Sequence, residues 1–542
     1  MQYTKTTAIN KIVIVGGGTA GWLTAAILAA EHNVDKGQLA HSPKLDITLI
    51  ESPDVATIGV GEGTWPSMRN TLDKIGISET EFIRSCDASF KQGSRFINWQ
   101  QDTLENAQHG ITSPLSYLHP FTLPHGHQEL DLCPFWLPVK DQVSFAHAVS
   151  SQDALTHLGL APKTIATPEY HFQNNYGYHL DAGKFSALLM RHCTEKLGVR
   201  HISDHVIAID TVTDIDGATG DIKSVLTQSH GAIAGDLFID CTGTKSLLLG
   251  EHYQVPFLCQ KSVLFNDSAL AIQAPYAQED SAIESCTLST AQPNGWIWDI
   301  ALPTRRGIGY VYSSSHSSDA DAERVLRNYL NTQDTLAHTP QNVDVRKLNI
   351  KPGYHAKCWQ NNCVAIGMAA GFIEPLEASA LALVEWSANT LATQLPTHRA
   401  VMDTIAKRMN DRYELHWQQI IDFLKLHYVI SGREVDAYWR DHKAPSSIPA
   451  RLQDMLELWR YQCPSSHDIS YREALFPAAS FQYVLYGMGY HTALPSHIKP
   501  STQKLAQKLF TENQQRIQGL RQSLPSNRAL LDKVNEFGFP KL

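Results

Sequence analysis

Gly16, Gly18 and Gly21 stand at G-x-G-x-x-G spacing, directly after the apolar run Ile12–Val15 and ahead of a segment rich in Ala and Leu, Trp22–Ala30. In that pattern the first glycine allows a tight turn, the second lets a pyrophosphate approach the backbone, and the third lets helix and strand pack closely. The anion then lies on the helix N-terminus, where unpaired N–H groups and aligned peptide dipoles favour negative charge. Glu51 ends a second strand-like run, Leu45–Glu51, and its carboxylate suits ribose hydroxyls. It comes later than the roughly 20 residues usual for such an acid, and residues 31–44 read as an insertion that explains the delay. Asp240 and Gly243 end another apolar run, Gly235–Leu249. Gly367 and Gly371 punctuate a third strand-to-helix junction, with Glu377 just before a helix that starts near Leu381.

Other chemically suggestive residues carry less on their own. The glycine-rich run Ala56–Met68, with Pro66, reads as a loop that excludes regular helix or strand and could lie against a ring or a phosphate. Lys91, between Phe90 and Gln92 in a partly alternating stretch, reads first as a solvated strand residue. His119, His125 and His127 fit no helix face and no ligand set of known geometry, so no metal site is assigned. Trp296 and Trp298 fall on one face of a strand, where they pack a core or wall off a pocket from water.

The elements that must position these groups follow from pattern. Helices are expected at Ser67–Ile75 and Glu79–Cys86, after a short extended piece within Tyr176–Lys196 with Phe185, Leu188, Leu189 and Cys193 on the apolar face, over Val401–Tyr428 with apolar residues every three or four positions, and from about Thr502 to Leu524. Hairpins are expected at 206–226 and around Pro303–Gly307 within Gly295–Tyr312. Residues 101–150, rich in His, Pro and aromatics, read as a long irregular segment of the kind that covers a substrate.

Composition narrows the class. The 542 residues, 43% of them hydrophobic, can bury a large core, and the net charge of −9 leaves no footprint for nucleic acid or an anionic membrane. No apolar run reaches the roughly 20 residues that span a bilayer. Nine cysteines without a C-x-x-C pair, and no leader-like start, place the chain in the cytoplasm with reduced thiols.

Taken together in order, VGGGTAGW, IGVGEGTWP, SFKQGSRF, YGYHLDAGKF, the Asp240–Gly243 strand, GWIWDI, GFIEPLEAS and HYVISGRE resemble the flavin-dependent tryptophan halogenase family. The resemblance implies an α/β fold: an FAD-binding, GR2-like (Rossmann-type) body with mixed sheets over residues 1–395, including an irregular segment at 101–170, and a largely helical, substrate-covering lobe over 396–542. It implies an FADH2-dependent enzyme, fed by a separate flavin reductase, that uses O2 and chloride or bromide to make hypohalous acid and halogenates an electron-rich aromatic such as tryptophan or another indole. Lys91 then handles the hypohalous acid and Glu377 assists as its neighbouring carboxylate. FAD contacts are implied at Gly16, Gly18, Ala20, Gly21, Glu51, Ile58, Val60, Gly61, Val206, Asp240, Gly243, Gly367, Gly371 and Leu381, and halide contacts at Ser379 and Ala380. A homodimer is compatible with this. Three positions depart from the family pattern: Ala301 where proline ends W-x-W-x-I-P, Ala378-Ser379-Ala380 where S-T-G follows the glutamate, and Met368 where Asp or Asn is common. An aromatic hydroxylase that oxidises NAD(P)H itself, and a flavin-binding relative without halogenating activity, are the competing readings.

Overall fold

The computed structural model describes residues 8–33, 44–55, 61–100, 115–213, 219–336, 344–469, 474–494 and 499–541. Along the strand Lys11–Val15, Ile12 and Ile14 alternate with Val13 and Val15, and all four are buried, so the strand needs cover on both faces. It lies inside a six-stranded sheet ordered Trp359–Gln360, Cys363–Ala365, Leu237–Asp240, Lys11–Val15, Asp46–Glu51, Arg200–Ser203, parallel except for the first strand. Register sets Val15 beside both Asp240 and Ile50, which lines up the glycine turn and the ends of two neighbouring strands at one edge. Ile12, Ile14, Ile47 and Leu49 face a core that includes Trp22 and Ile27 of the helix Thr19–His32. Val13, Val15, Ile50 and Phe238 meet Ile222 and Val225 of a three-stranded antiparallel sheet, Val206–Thr213, Thr219–Thr227 and Gly231–Ala234.

A seven-stranded sheet stands beside it, ordered Arg346–Asn349, Ser268–Pro275, Arg305–Tyr312, Gly295–Ala301, Thr287–Gln292, Gly93–Ile97, Ser116–Pro120. Its neighbours are antiparallel except for the pair Thr287–Gln292 and Gly93–Ile97. One face presents Trp296, Trp298 and Ile300 to the main core, and the other buries Ile297, Tyr310 and Tyr312 against the helix Asp319–Asn331. A small sheet, Gly61–Gly63, Gly177–Asp181 and Ser89–Lys91, bridges the halves. Its first strand lies in the run read as excluding regular structure. Tight packing explains the difference: a Cβ on Gly61 would stand 2.9 Å from Ile300 Cγ2, so the bare backbone can pair closely with Asp181.

The segment 101–170 carries, over its described part, the edge strand Ser116–Pro120 and the short helices Cys133–Trp136, Phe145–Val149 and Ser151–His157. The helical stripe expected at 401–428 is the helix Arg399–Val429, with Met402, Met409, Tyr413, Trp417, Ile420, Leu424 and Tyr428 buried. The last long helix is Pro500–Ser523, followed by Asn527–Phe537. The main core runs without a break from Ile12 to Val534 and Phe539. Among the described residues no helix is long and apolar enough to cross a membrane.

Candidate functional site

The glycine turn opens onto a cavity of about 610 Å³. Gly16 has φ +114°, and a Cβ there would collide with the Cys241 carbonyl; one on Gly21 would collide with Gly16 O. Gly18 differs: a Cβ would meet nothing within 4 Å, so its backbone faces open space. Gly18 also caps the helix Thr19–His32 with no side-chain acceptor, which leaves N–H groups free for an anion. Gly16, Gly18, Ala20, Glu51, Val206, Gly243, Gly367, Gly371, Ser379, Ala380 and Leu381 line the cavity. Glu51 is held at its rim with His201 Nε2 3.1 Å from Oε2. Ile58 and Val60 lie outside the described residues.

Gly21, Gly61 and Asp240 do not line it. Asp240 is fully buried, and its carboxylate accepts the N–H groups of Thr242, Leu248 and Leu249 at 3.1, 2.7 and 2.9 Å. It shapes the turn that carries Gly243 and offers no free oxygen for a cofactor. The two indoles also stand back from the cavity: Trp298 lies over Gly309, and Trp296 Nε1 donates to Glu374 Oε2 at 3.0 Å. Tyr428 and Asn266 bond the same carboxylate, whose pKa burial raises.

Lys91 is 1% exposed, contrary to its reading as a solvated strand residue. It ends the strand Ser89–Lys91, and two residues on, Gly93 turns the chain at φ +149° into the seven-stranded sheet, a corner open to glycine alone. Ser89 Oγ donates to the carbonyl of Ala301, so alanine serves as the acceptor at one position where the family pattern differs. Lys91 Nζ lies 5.4 Å from the Phe121 ring centroid, and a Cβ on Gly63 would be 3.0 Å from it. Among the described residues no hydrogen bond or ion pair engages that ammonium. Burial lowers its pKa from 10.5 to about 8, against the opposing pull of Glu377 and Cys286.

Glu377 and Ala378 both have left-handed backbone, φ 65° and 54°, a strained turn for residues that carry a Cβ. The turn buries the Glu377 side chain and starts the helix Ser379–Thr393 with no side-chain cap, and Ser379 and Ala380 line the cavity. Glu377 Oε1 meets His119 Nδ1 at 2.8 Å and His427 Nε2 at 3.2 Å, while Trp65 Nε1 donates to its carbonyl at 2.8 Å. Burial pushes the carboxyl pKa up, but the His119 charge and hydrogen bond, with His427, hold it well below the usual range. His427 Nδ1 lies 2.9 Å from the Phe423 carbonyl, which can only accept. Nδ1 therefore carries its hydrogen, and His427 Nε2 shares a single proton with Glu377 Oε1. Oε2 has no hydrogen bond among the described residues and remains available as a base.

His119 and His427 are the partners of Glu377 that spacing does not reveal. By sequence His119 reads only as a metal-ligand candidate, and His427, which opens HYVISGRE, carries no signal of a carboxylate partner. They converge on Glu377 from 258 and 50 residues away, and only the packed edge strand and long helix bring them together.

A family model described as tryptophan halogenase matches residues 11–507. The tryptophan 6-halogenase SttH of Streptomyces toxytricini is 30% identical, over 95% of this chain and 97% of that protein. The tryptophan 7-halogenase RebH of Lentzea aerocolonigenes is 30% identical, over 96% of this chain and 97% of that one. The crystal structure of a tryptophan halogenase from Shewanella frigidimarina superposes with a TM-score of 0.94 at 69% identity, covering 99% of each chain.

Proposed function

The chain belongs to the tryptophan halogenase family, and we propose that it uses reduced FAD, O2 and chloride or bromide to halogenate an electron-rich aromatic, tryptophan or another indole. The observation that carries this reading is Lys91, a buried ammonium with no bonded partner among the described residues, set beside Gly63 and Ala378 and in the field of Glu377.

The cavity fits the cofactor: the open backbone at Gly18 and the uncapped helix behind it would hold the pyrophosphate, and Glu51 the ribose. Bound there, reduced flavin together with O2 supplies the oxidising power that turns halide into hypohalous acid. Backbone N–H groups at Ser379 and Ala380, at the uncapped start of that helix, hold the halide, a role backbone can fill although the side chains depart from S-T-G. Lys91 donates a proton to the oxygen of hypohalous acid, so that hydroxide leaves as water while halogen passes to the ring. In a site closed to water such a donor acts far more strongly than in solution. Glu377 Oε2 takes the ring proton, and return of that proton to Lys91 closes the cycle. His119 and His427 fix Oε1 and keep the free oxygen aimed. A separate reductase feeds the enzyme in the cytoplasm, and the helices beyond residue 396 cover the substrate.

The test is turnover with a flavin reductase, NADH, FAD, O2 and either halide, offering tryptophan and indole. Halogenated product, lost in Glu377→Gln, is expected. Hydroxylated product, or NADH oxidation by the protein without the reductase, overturns the reading.

A further inference from the structure

Two cysteines remote in sequence meet where the 115–170 segment touches the C-terminal helices. Cys133 opens the short helix Cys133–Trp136, Cys463 follows the helix Ala450–Trp459, and their sulfurs are 2.6 Å apart. Built contacts on both sides bring them there. Asp131 Oδ1 accepts the Cys133 N–H at 3.0 Å, and Gln482 Nε2 donates to Asp131 at 3.2 Å and to the Pro464 carbonyl at 2.8 Å. Trp136 packs on Tyr486 with ring centroids 5.0 Å apart. Each sulfur thus sits next to a residue clamped by the same glutamine. Among the described residues no other thiol is hydrogen-bonded to a thiol.

We propose that Cys133 and Cys463 form a disulfide on oxidation, a covalent latch between the segment beside the site and the C-terminal helices. The oxidant is hydrogen peroxide, which reduced flavin releases when it meets O2 outside a productive cycle. Cys463 is partly exposed and Cys133 buried, and burial pushes the Cys133 thiol well up, so Cys463 reacts first. Its sulfur attacks peroxide, the O–O bond breaks, and a sulfenic acid and one water result. The Cys133 sulfur then displaces the hydroxyl, which leaves as a second water. Two thiols and one hydrogen peroxide become one disulfide and two waters. The latch bears on the helix Ala478–Gly487, whose Ser480 Oγ lies 3.0 Å from His119 Nε2, and His119 holds Glu377.

The experiment treats purified protein with hydrogen peroxide, in a Cys259→Ser background that removes an exposed thiol. Expected are the loss of two thiols, a linked pair of peptides containing Cys133 and Cys463, and a Tm higher by about 2–5 °C that dithiothreitol reverses. Neither the link nor the Tm shift appears in Cys133→Ser or Cys463→Ser. Retention of every thiol, sulfinic acid on Cys463 without a link, or links between chains overturns the proposal.

Discussion

The role proposed for Lys91 sets turnover against stability in one side chain. Burial lowers its pKa from 10.5 to about 8, and at 1.4 kcal/mol per unit the charged form costs about 3 kcal/mol at neutral pH. Lys91→Met keeps the volume and removes the charge. It should raise stability by about 1–3 kcal/mol at pH 7 while lowering turnover about 10²–10³-fold. Below pH 8 the lysine is charged in both the folded and the unfolded chain, so the variant's advantage is constant. Between about 8 and 10.5 the unfolded chain binds the extra proton, the wild type gains stability as pH rises, and the advantage shrinks. Urea unfolding of both proteins at pH 7 and pH 10 measures this, and an advantage unchanged across that window would show that the burial of Lys91 is not its source. If the ammonium is the working form, kcat also falls as pH rises through about 8; a limb that rises there would instead assign the role to the free amine.

Strand, turn and helix around Gly16–Gly21 separate folding from binding within one element. Gly16→Ala meets both a collision with the Cys241 carbonyl and a φ of +114°, a combination that costs at least about 2 kcal/mol. Gly18→Ala meets nothing in the protein and intrudes only on space for the ligand. The apo form of Gly18→Ala should therefore melt with the wild type while its FAD affinity drops about tenfold, a loss of 1.4 kcal/mol. Gly16→Ala should lose stability before any flavin is added. Calorimetric titration and melting of the two apo proteins separate the cases. This element was legible from sequence because its signals are local: an apolar strand, three spaced glycines, a helix. The resemblance implies a cofactor contact at Asp240, and the carboxylate there caps the turn of Leu248 and Leu249, a partnership that no spacing marks. Lys91 looked like a solvated residue because alternation in a short strand cannot show what closes over it.

Closure of the whole molecule over Lys91 depends on the far end of the chain. Asn527, at the start of the last helix, is fully buried and donates through Nδ2 to the carbonyls of Phe90, 437 residues away, and Glu284. Arg84 Nη2 reaches the Val534 carbonyl at 2.8 Å from the same side, and the Phe539 N–H donates to Thr80 Oγ1 at 3.0 Å. The strand carrying the lysine thus gains its last cover from the helix Asn527–Phe537, which lies beyond the terminal helix expected at 502–524, and this is why its burial was invisible in local pattern. Asn527→Leu preserves the size of the side chain but removes the donor from the buried Phe90 carbonyl and the half-buried Glu284 carbonyl, a penalty of about 1–3 kcal/mol. The loss falls on the backbone of Phe90, directly before Lys91, and neither Phe90 nor Asn527 lines the cavity that holds the glycine turn and Glu51. Flavin affinity should therefore match the wild type, while stability drops by that amount and product per flavin consumed decreases as water reaches the lysine. Titration with FAD, urea unfolding and the ratio of halogenated product to hydrogen peroxide measure the three separately. Weakened FAD binding with an unchanged product ratio would mean that the C-terminal helices support the nucleotide-binding body as a whole instead of sealing Lys91.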